Sequence, residues 1–256
     1  MKSFISFFKK EVLEGLRSGK LTILGILFLM FGIMNPAIAK LTPWMLEMFS
    51  ESLAESGMTV TDVTVTALTS WTQFFKNIPM ALIAFVLIYS GIFTREYDSG
   101  TLVLILTKGL SRYKTVLAKA SLMLILWTLG YWFCFAVTYA YNAYFWDNSI
   151  AVGLMHAVLN WWLFGLWVIS LTVLFSVLFK NYSGVLLGTG VCVLLVYLLS
   201  FLPDAKDYTP TSLMNSAALL VGAEKAEIYV KSIVTTVLTA ILAITSSIFI
   251  FNKKQL

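Results

Sequence analysis

The chain alternates long apolar runs with short polar ones. Six runs stand out: Leu21–Ala39, Ile78–Thr94, Ala120–Trp146, Met155–Phe179, Ser183–Leu202 and Ser232–Phe251. Crossing a hydrocarbon core takes about 20 residues at about 1.5 Å per residue, so the pattern predicts six transmembrane helices. Ahead of them, Phe4, Phe8, Val12 and Leu16 recur every fourth residue and Ile5 and Leu13 widen the stripe, while Lys2, Lys9, Lys10, Glu14 and Arg17 fall largely elsewhere. That spacing predicts an amphipathic helix over Met1–Lys20, lying in the inner interface with its cations toward lipid phosphates. The first span has too long an apolar part, and no small-residue cleavage site after it, for a removable signal peptide. It is expected to remain as an anchor.

The connections differ in kind. In the outer segment Lys40–Asn77, Glu47, Glu51 and Glu55 recur at i+4 around Trp44, Met48 and Phe49, which predicts a short surface helix. A further helix is expected from near Thr61 toward the second span. The outer segment Pro203–Lys231 has an apolar middle, Leu213–Ala223. It is too short to cross and is expected as a short helix embedded at the outer leaflet. Gly184 and Gly188 in the fifth span, four apart, allow close helix approach. The inner connection Thr94–Lys119 is long and mixed. Leu102–Leu106 predicts a short apolar helix stopped at Gly109, and Ser111 opens a second helix that runs into the third span.

Charge sets the topology. With six spans, 13 of the 18 Lys and Arg residues fall on the side of both termini, and nine of the 13 acids fall on the other. By the positive-inside rule both termini are cytoplasmic, in a plasma membrane. Composition agrees: 59% of residues are hydrophobic and 12% charged, against about a quarter charged in soluble domains. The basic balance follows from topology and needs no nucleic acid. Cys134 and Cys192 lie in apolar runs and read as buried small residues. The single histidine, His156, gives no metal cluster, and neither a Walker A sequence nor a Gly-x-Ser-x-Gly elbow occurs. No catalytic, cofactor or metal residue is assigned. The six runs hold no charged residue in their interiors, which argues against a proton- or cation-coupled carrier. An energy source is expected to act from outside the membrane.

Tyr131, Trp132, Phe135, Tyr139, Trp161 and Trp162 crowd the outer ends of the third and fourth spans. An interfacial belt is one reading; a wall for a hydrophobic cargo is the other. The inner connection has its own alternatives. Its apolar helix either lies on the inner leaflet or forms an exposed docking surface.

The stretch Glu96, Gly100-Thr101-Leu102, Val103–Leu106, Gly109-Leu110-Ser111-Arg112 resembles the inner loop of the membrane subunits of ABC exporters of the type-two permease class. The plan of the chain is similar too: a basic amphipathic start, six spans, a short inner turn after the fourth and an apolar outer hairpin before the sixth. Many members carry proline just before the Ser-Arg pair, where this chain has Lys108-Gly109. The resemblance implies an all-α polytopic membrane protein with one permease domain over residues 1–256. Its parts are an interfacial helix at 1–20, a six-span bundle at 21–251 and a cytoplasmic tail at 252–256. It implies a coupling helix between spans two and three, with Glu96, Gly100, Thr101, Leu102, Leu104, Ile105, Leu106, Gly109, Ser111 and Arg112 as the coupling residues. Leu102, Leu104, Ile105 and Leu106 would be buried in the partner. It further implies two copies of a cytosolic ATPase, which would hold ATP and magnesium, and a second permease chain in a homodimer or heterodimer. The alternative class is a non-transporting six-span scaffold or sensor.

Overall fold

The computed structural model describes residues 2–48, 64–107, 109–215 and 217–254. The expectations for Phe49, Glu51, Glu55 and Thr61 lie outside the described residues, as does the side chain of Ile105. The elements are helical throughout the described residues: α1 (Lys2–Arg17), α2 (Lys20–Met48), α3 (Ala67–Tyr89), α4 (Thr94–Asp98), α5 (Thr101–Thr107), α6 (Arg112–Phe145), α7 (Leu154–Leu178), α8 (Tyr182–Leu199), α9 (Pro203–Lys206), α10 (Ala217–Leu220) and α11 (Val230–Lys253). Six of these, α3 counted together with α4, are long and apolar enough to cross a membrane. The protein is a multi-pass membrane protein.

Two spans run further than their hydropathy suggests. α2 continues through Met48, with Pro36 and Pro43 inside it, and α3 starts at Ala67 behind a Thr66 cap. The helices therefore carry Lys40 and Lys76, which read as ends of the apolar runs. Lys40 sits 3.8 Å from the centre of the Phe145 ring, so its cation has an aromatic face to lie on.

α2 packs against α3 and α6, while α7 packs against α11 and α8. Without a hydrophobic drive between helices in lipid, such contacts rest on shape and on polar groups. The aromatic centre shows the shape term. Trp71, Phe74, Phe85, Trp127 and Tyr131 are fully buried and meet mainly edge to face. Gly165 on α7 makes room for them, since a Cβ there would lie 2.3 Å from the Trp127 indole. Polar bonds supplement it inside the bundle: Asn35 donates to Thr138 Oγ1 at 3.1 Å and accepts from Asn77 at 2.8 Å. The close approach expected at Gly188 is to α7, where a Cβ would strike the Phe175 ring at 2.5 Å.

The outer segment does not make one continuous helix. Residues 203–229 break into α9, a 3₁₀ turn at Pro210–Met214, α10, and a second 3₁₀ turn at Ala226–Tyr229. Leu213, Leu219 and Leu220 are buried against the bundle. The turns are held by the protein: Trp161 donates to Met214 O at 3.1 Å and Tyr229 to Asn215 O at 2.8 Å. Covered backbone of this kind is what irregular structure near a bilayer requires.

Candidate functional site

The bundle end that carries both termini holds a buried ion cluster. It begins with a change in the second span. The span tightens into a 3₁₀ turn at Ser90–Ile92 before resuming as α4. Lys119 of α6 donates to Ile92 O at 2.9 Å. The same ammonium, 1% exposed, lies 2.9 Å from Glu11 Oε2 and 3.0 Å from Glu96 Oε2. The Glu96 contact is an ion pair without hydrogen-bond alignment. The rings of Phe7 and Phe93 flank the ammonium at 5.6 and 5.4 Å.

Lys10 closes the cluster from α1, at 2.7 Å from Glu96, 3.0 Å from Glu11 and 2.8 Å from Glu14. Burial pulls its ammonium down, but hydrogen bonds to Glu14 and Glu96 and the charge of Glu11 outweigh that and hold it above the usual lysine range. The hydrogen bond from Lys10 holds Glu14 below the usual carboxylate range, against a smaller opposing effect of burial. Oxygens of Glu11, Glu14 and Glu96 lie within 4.8 Å of one another, a spacing that also suits a metal ion. Here the ammonium groups of Lys10 and Lys119 occupy the carboxylates, so the chain supplies its own counter-cations.

The interiors of the apolar runs are free of charge, as their sequence reads, but buried charge lies at their edge. Glu96 and Lys119 lie just beyond the apolar runs, yet both are enclosed by protein. α1 also has a second face, toward the protein. Phe7 and Glu11 face the bundle, while Ile5, Leu13 and Leu16 are exposed. A missed signal was present in the sequence: Phe7, Glu11 and Gly15 recur at i+4, placing one acid in the middle of a buried face.

The hairpin beyond this cluster turns on two glycines with left-handed backbone, Gly100 (φ +65°) and Gly109 (φ +91°). Only glycine takes that region without steric cost. Between them, α5 divides its apolar residues. Leu102 is 1% exposed and Leu106 packs partly on the core, whereas Val103 and Leu104 are exposed. Leu102 is therefore consumed within its own chain and is not free to enter a partner. Thr101 is exposed, its hydroxyl 2.8 Å from that of Ser99. Ser111 stands at the N-cap of α6 in extended backbone, without a side-chain cap bond. Arg112 does not meet Glu96. Its guanidinium donates to the carbonyls of Phe251 (3.2 Å), Asn252 (3.3 Å) and Lys254, at the C-terminus of α11, where a cation is favourable. Lys254 in turn donates to Val177 O and to Leu178 O at the end of α7. The hairpin, the sixth span and the fourth span are thereby linked.

The aromatic residues expected as a wall are mostly interior. Tyr131, Phe135 and Trp161 are buried, Trp132 and Trp162 are partly buried against the core, and Tyr139 is exposed. Tyr131 spends its hydroxyl on Val158 O at 2.7 Å. A cargo reaching this set would have to displace bundle packing. Trp161 is the member that also lines a separate groove of about 510 Å³ between α3, α7 and α8, to which Thr211 and Met214 of the 3₁₀ turn also contribute.

Residues 5–256 match the family model of the ABC-2 family transporter protein. An uncharacterized transmembrane protein of Bacillus subtilis (strain 168), YxlG, is 21% identical over 268 residues, which cover 100% of this chain and 99% of that protein. No solved structure matches.

Proposed function

The chain belongs to the ABC-2 transporter family, and from that premise we propose that it is the permease subunit of an ATP-driven exporter. The end with both termini is cytoplasmic in this reading, and two copies of a separate ATPase, which would hold ATP and magnesium, dock there on two permease chains. The observation that carries it is the exposed apolar face of α5, Val103 and Leu104, mounted on a hairpin whose root is the ion cluster. Exposed apolar side chains outside the spans favour a protein partner. The cluster ties α1, the second span and the third span into one body, so a push on α5 reaches all three.

Two variants separate docking from transmission. Val103→Asp with Leu104→Asp should release the ATPase on purification, since each buried apolar side chain contributes about 1.5–3 kcal/mol before association costs. Glu96→Gln should keep the ATPase bound while its hydrolysis in lipid loses its response to the permease. Retention of the ATPase at wild-type strength by the double variant would overturn the docking assignment. The reading of α5 as a helix lying on the inner leaflet would then stand.

A further inference from the structure

Beside the ion cluster lies a small polar pocket with charge left over. It forms where the end of α1, the start of α2 and the 3₁₀ turn of the second span meet. Glu11, Glu14 and Glu96 supply part of its lining, and Lys20 and Arg95 supply another part. The three carboxylates are already held by Lys10 and Lys119. Lys20 and Arg95 are not matched in this way. Among the described residues neither side chain has an ion pair or a hydrogen bond. Their charges repel each other, and Glu14 attracts Lys20 only from beyond ion-pair distance.

The fold holds the two cations in place. Lys20 is the first residue of α2, behind Gly19 in left-handed backbone (φ +73°), and its ammonium lies 5.6 Å from the centre of the Tyr89 ring. Arg95 stands on α4, and its Nε passes 3.6 Å from where a Cβ on Gly91 would lie. The start of α2 adds the positive end of a helix dipole. Three carboxylates thus meet four cations, Lys10, Lys119, Lys20 and Arg95, and one positive charge remains. The pocket encloses about 30 Å³, room for about two water-sized atoms. A phosphodiester carries one negative charge and two unesterified oxygens, so it fits both the charge and the space. Lysine and arginine hold such a group by charge-assisted hydrogen bonds.

We propose that this pocket binds the phosphodiester of one phospholipid from the leaflet on the side of the termini. Lys20 opens the first span, and Ile23, one turn further along α2, is exposed. Acyl chains can therefore run along the helix from a headgroup bound at Lys20. Basic pockets between spans are suited to such headgroups. The bound lipid joins the first and second spans beside the ion cluster and screens Lys20 from Arg95. It is a resident of the bundle, apart from any cargo, and does not depend on the ATPase.

The test is native mass spectrometry of the full chain in neutral detergent, with phosphatidylglycerol, the diacylglycerol bearing the same chains, and inorganic phosphate. One phosphatidylglycerol should stay bound under conditions that strip the diacylglycerol. Lys20→Gln with Arg95→Gln should weaken that binding at least about tenfold. Lys9→Gln, which removes an exposed cation on α1, should leave it unchanged. The thermal midpoint gives a second reading. Without lipid the double variant should melt no lower than the wild type, since it loses a repulsion and no ion pair, and phosphatidylglycerol should raise the midpoint of the wild type alone. Equal retention of the diacylglycerol, undiminished binding by the double variant, or an equal loss in Lys9→Gln overturns the proposal. A markedly less stable double variant without lipid also overturns it, because the two cations would then be structural. Inorganic phosphate that displaces the lipid at similar concentration would assign the pocket to a soluble anion and overturn the lipid assignment.

Discussion

Lys119 shows how much one residue can hide. In sequence it ends a polar connection and precedes an apolar run, so it reads as an interfacial charge. Its carboxylate partners are distant in sequence, Glu11 being 108 residues away, and no local pattern announces them. In the structure it is the fixed point of the ion cluster. Removing one partner of a buried ion pair costs about 3–5 kcal/mol, because the other charge is left behind. Lys119→Met should therefore lower the thermal midpoint in detergent on the order of 10 °C, read by tryptophan fluorescence. An unchanged midpoint would mean that the cluster is not structurally important. The cluster also has a defined pH window. Glu14 is held below its ordinary 4.5, so its contribution is complete above that value and is lost as pH falls through the depressed one. Lys10 is held above 10.5, so its contribution is complete below that value and is lost as pH rises through the raised one. A nitroxide on Lys9→Cys, an exposed site on α1, should keep constant mobility between these limits and loosen in more acidic solution.

At the level of elements, the six spans were legible because lipid enforces long apolar helices. The turns at Gly100 and Gly109 were legible because few other residues tolerate a positive φ. The ends of α2 and α3 were not. Hydropathy drops at Lys40 and Lys76, but the backbone bonding continues past both. The broken outer segment was also hidden, since its turns depend on partners such as Trp161 that lie far off in the chain. Two glycines give a matched pair of predictions. Gly165→Val forces the Trp127 indole aside and should destabilise by about 1–3 kcal/mol. Gly190→Ala meets open space in a helix and should stabilise by roughly 1 kcal/mol. Thermal midpoints of the two variants should move in opposite directions.

Taken as a whole, the protein is a bundle with two unlike ends. One end gathers the termini, the ion cluster and α5. The other is covered by short turns packed on the fourth span. Cysteines at Lys9 and at Val152, which is 79% exposed, test the orientation. In intact cells an impermeant thiol reagent should label Val152→Cys and spare Lys9→Cys. Which residues of the hairpin are free for a partner became visible only in the fold, because Leu102 and Leu104 look alike in sequence while one is 1% and the other 61% exposed. In the proposed complex Leu104 touches the ATPase, and the most direct measurement is a photo-crosslink from that position. With benzoylphenylalanine in place of Leu104 in living cells, the account predicts a covalent adduct to a nucleotide-binding subunit, lost when the photoreactive group replaces buried Leu102 instead. Adducts to lipid alone from position 104 would contradict it and place α5 flat on the membrane.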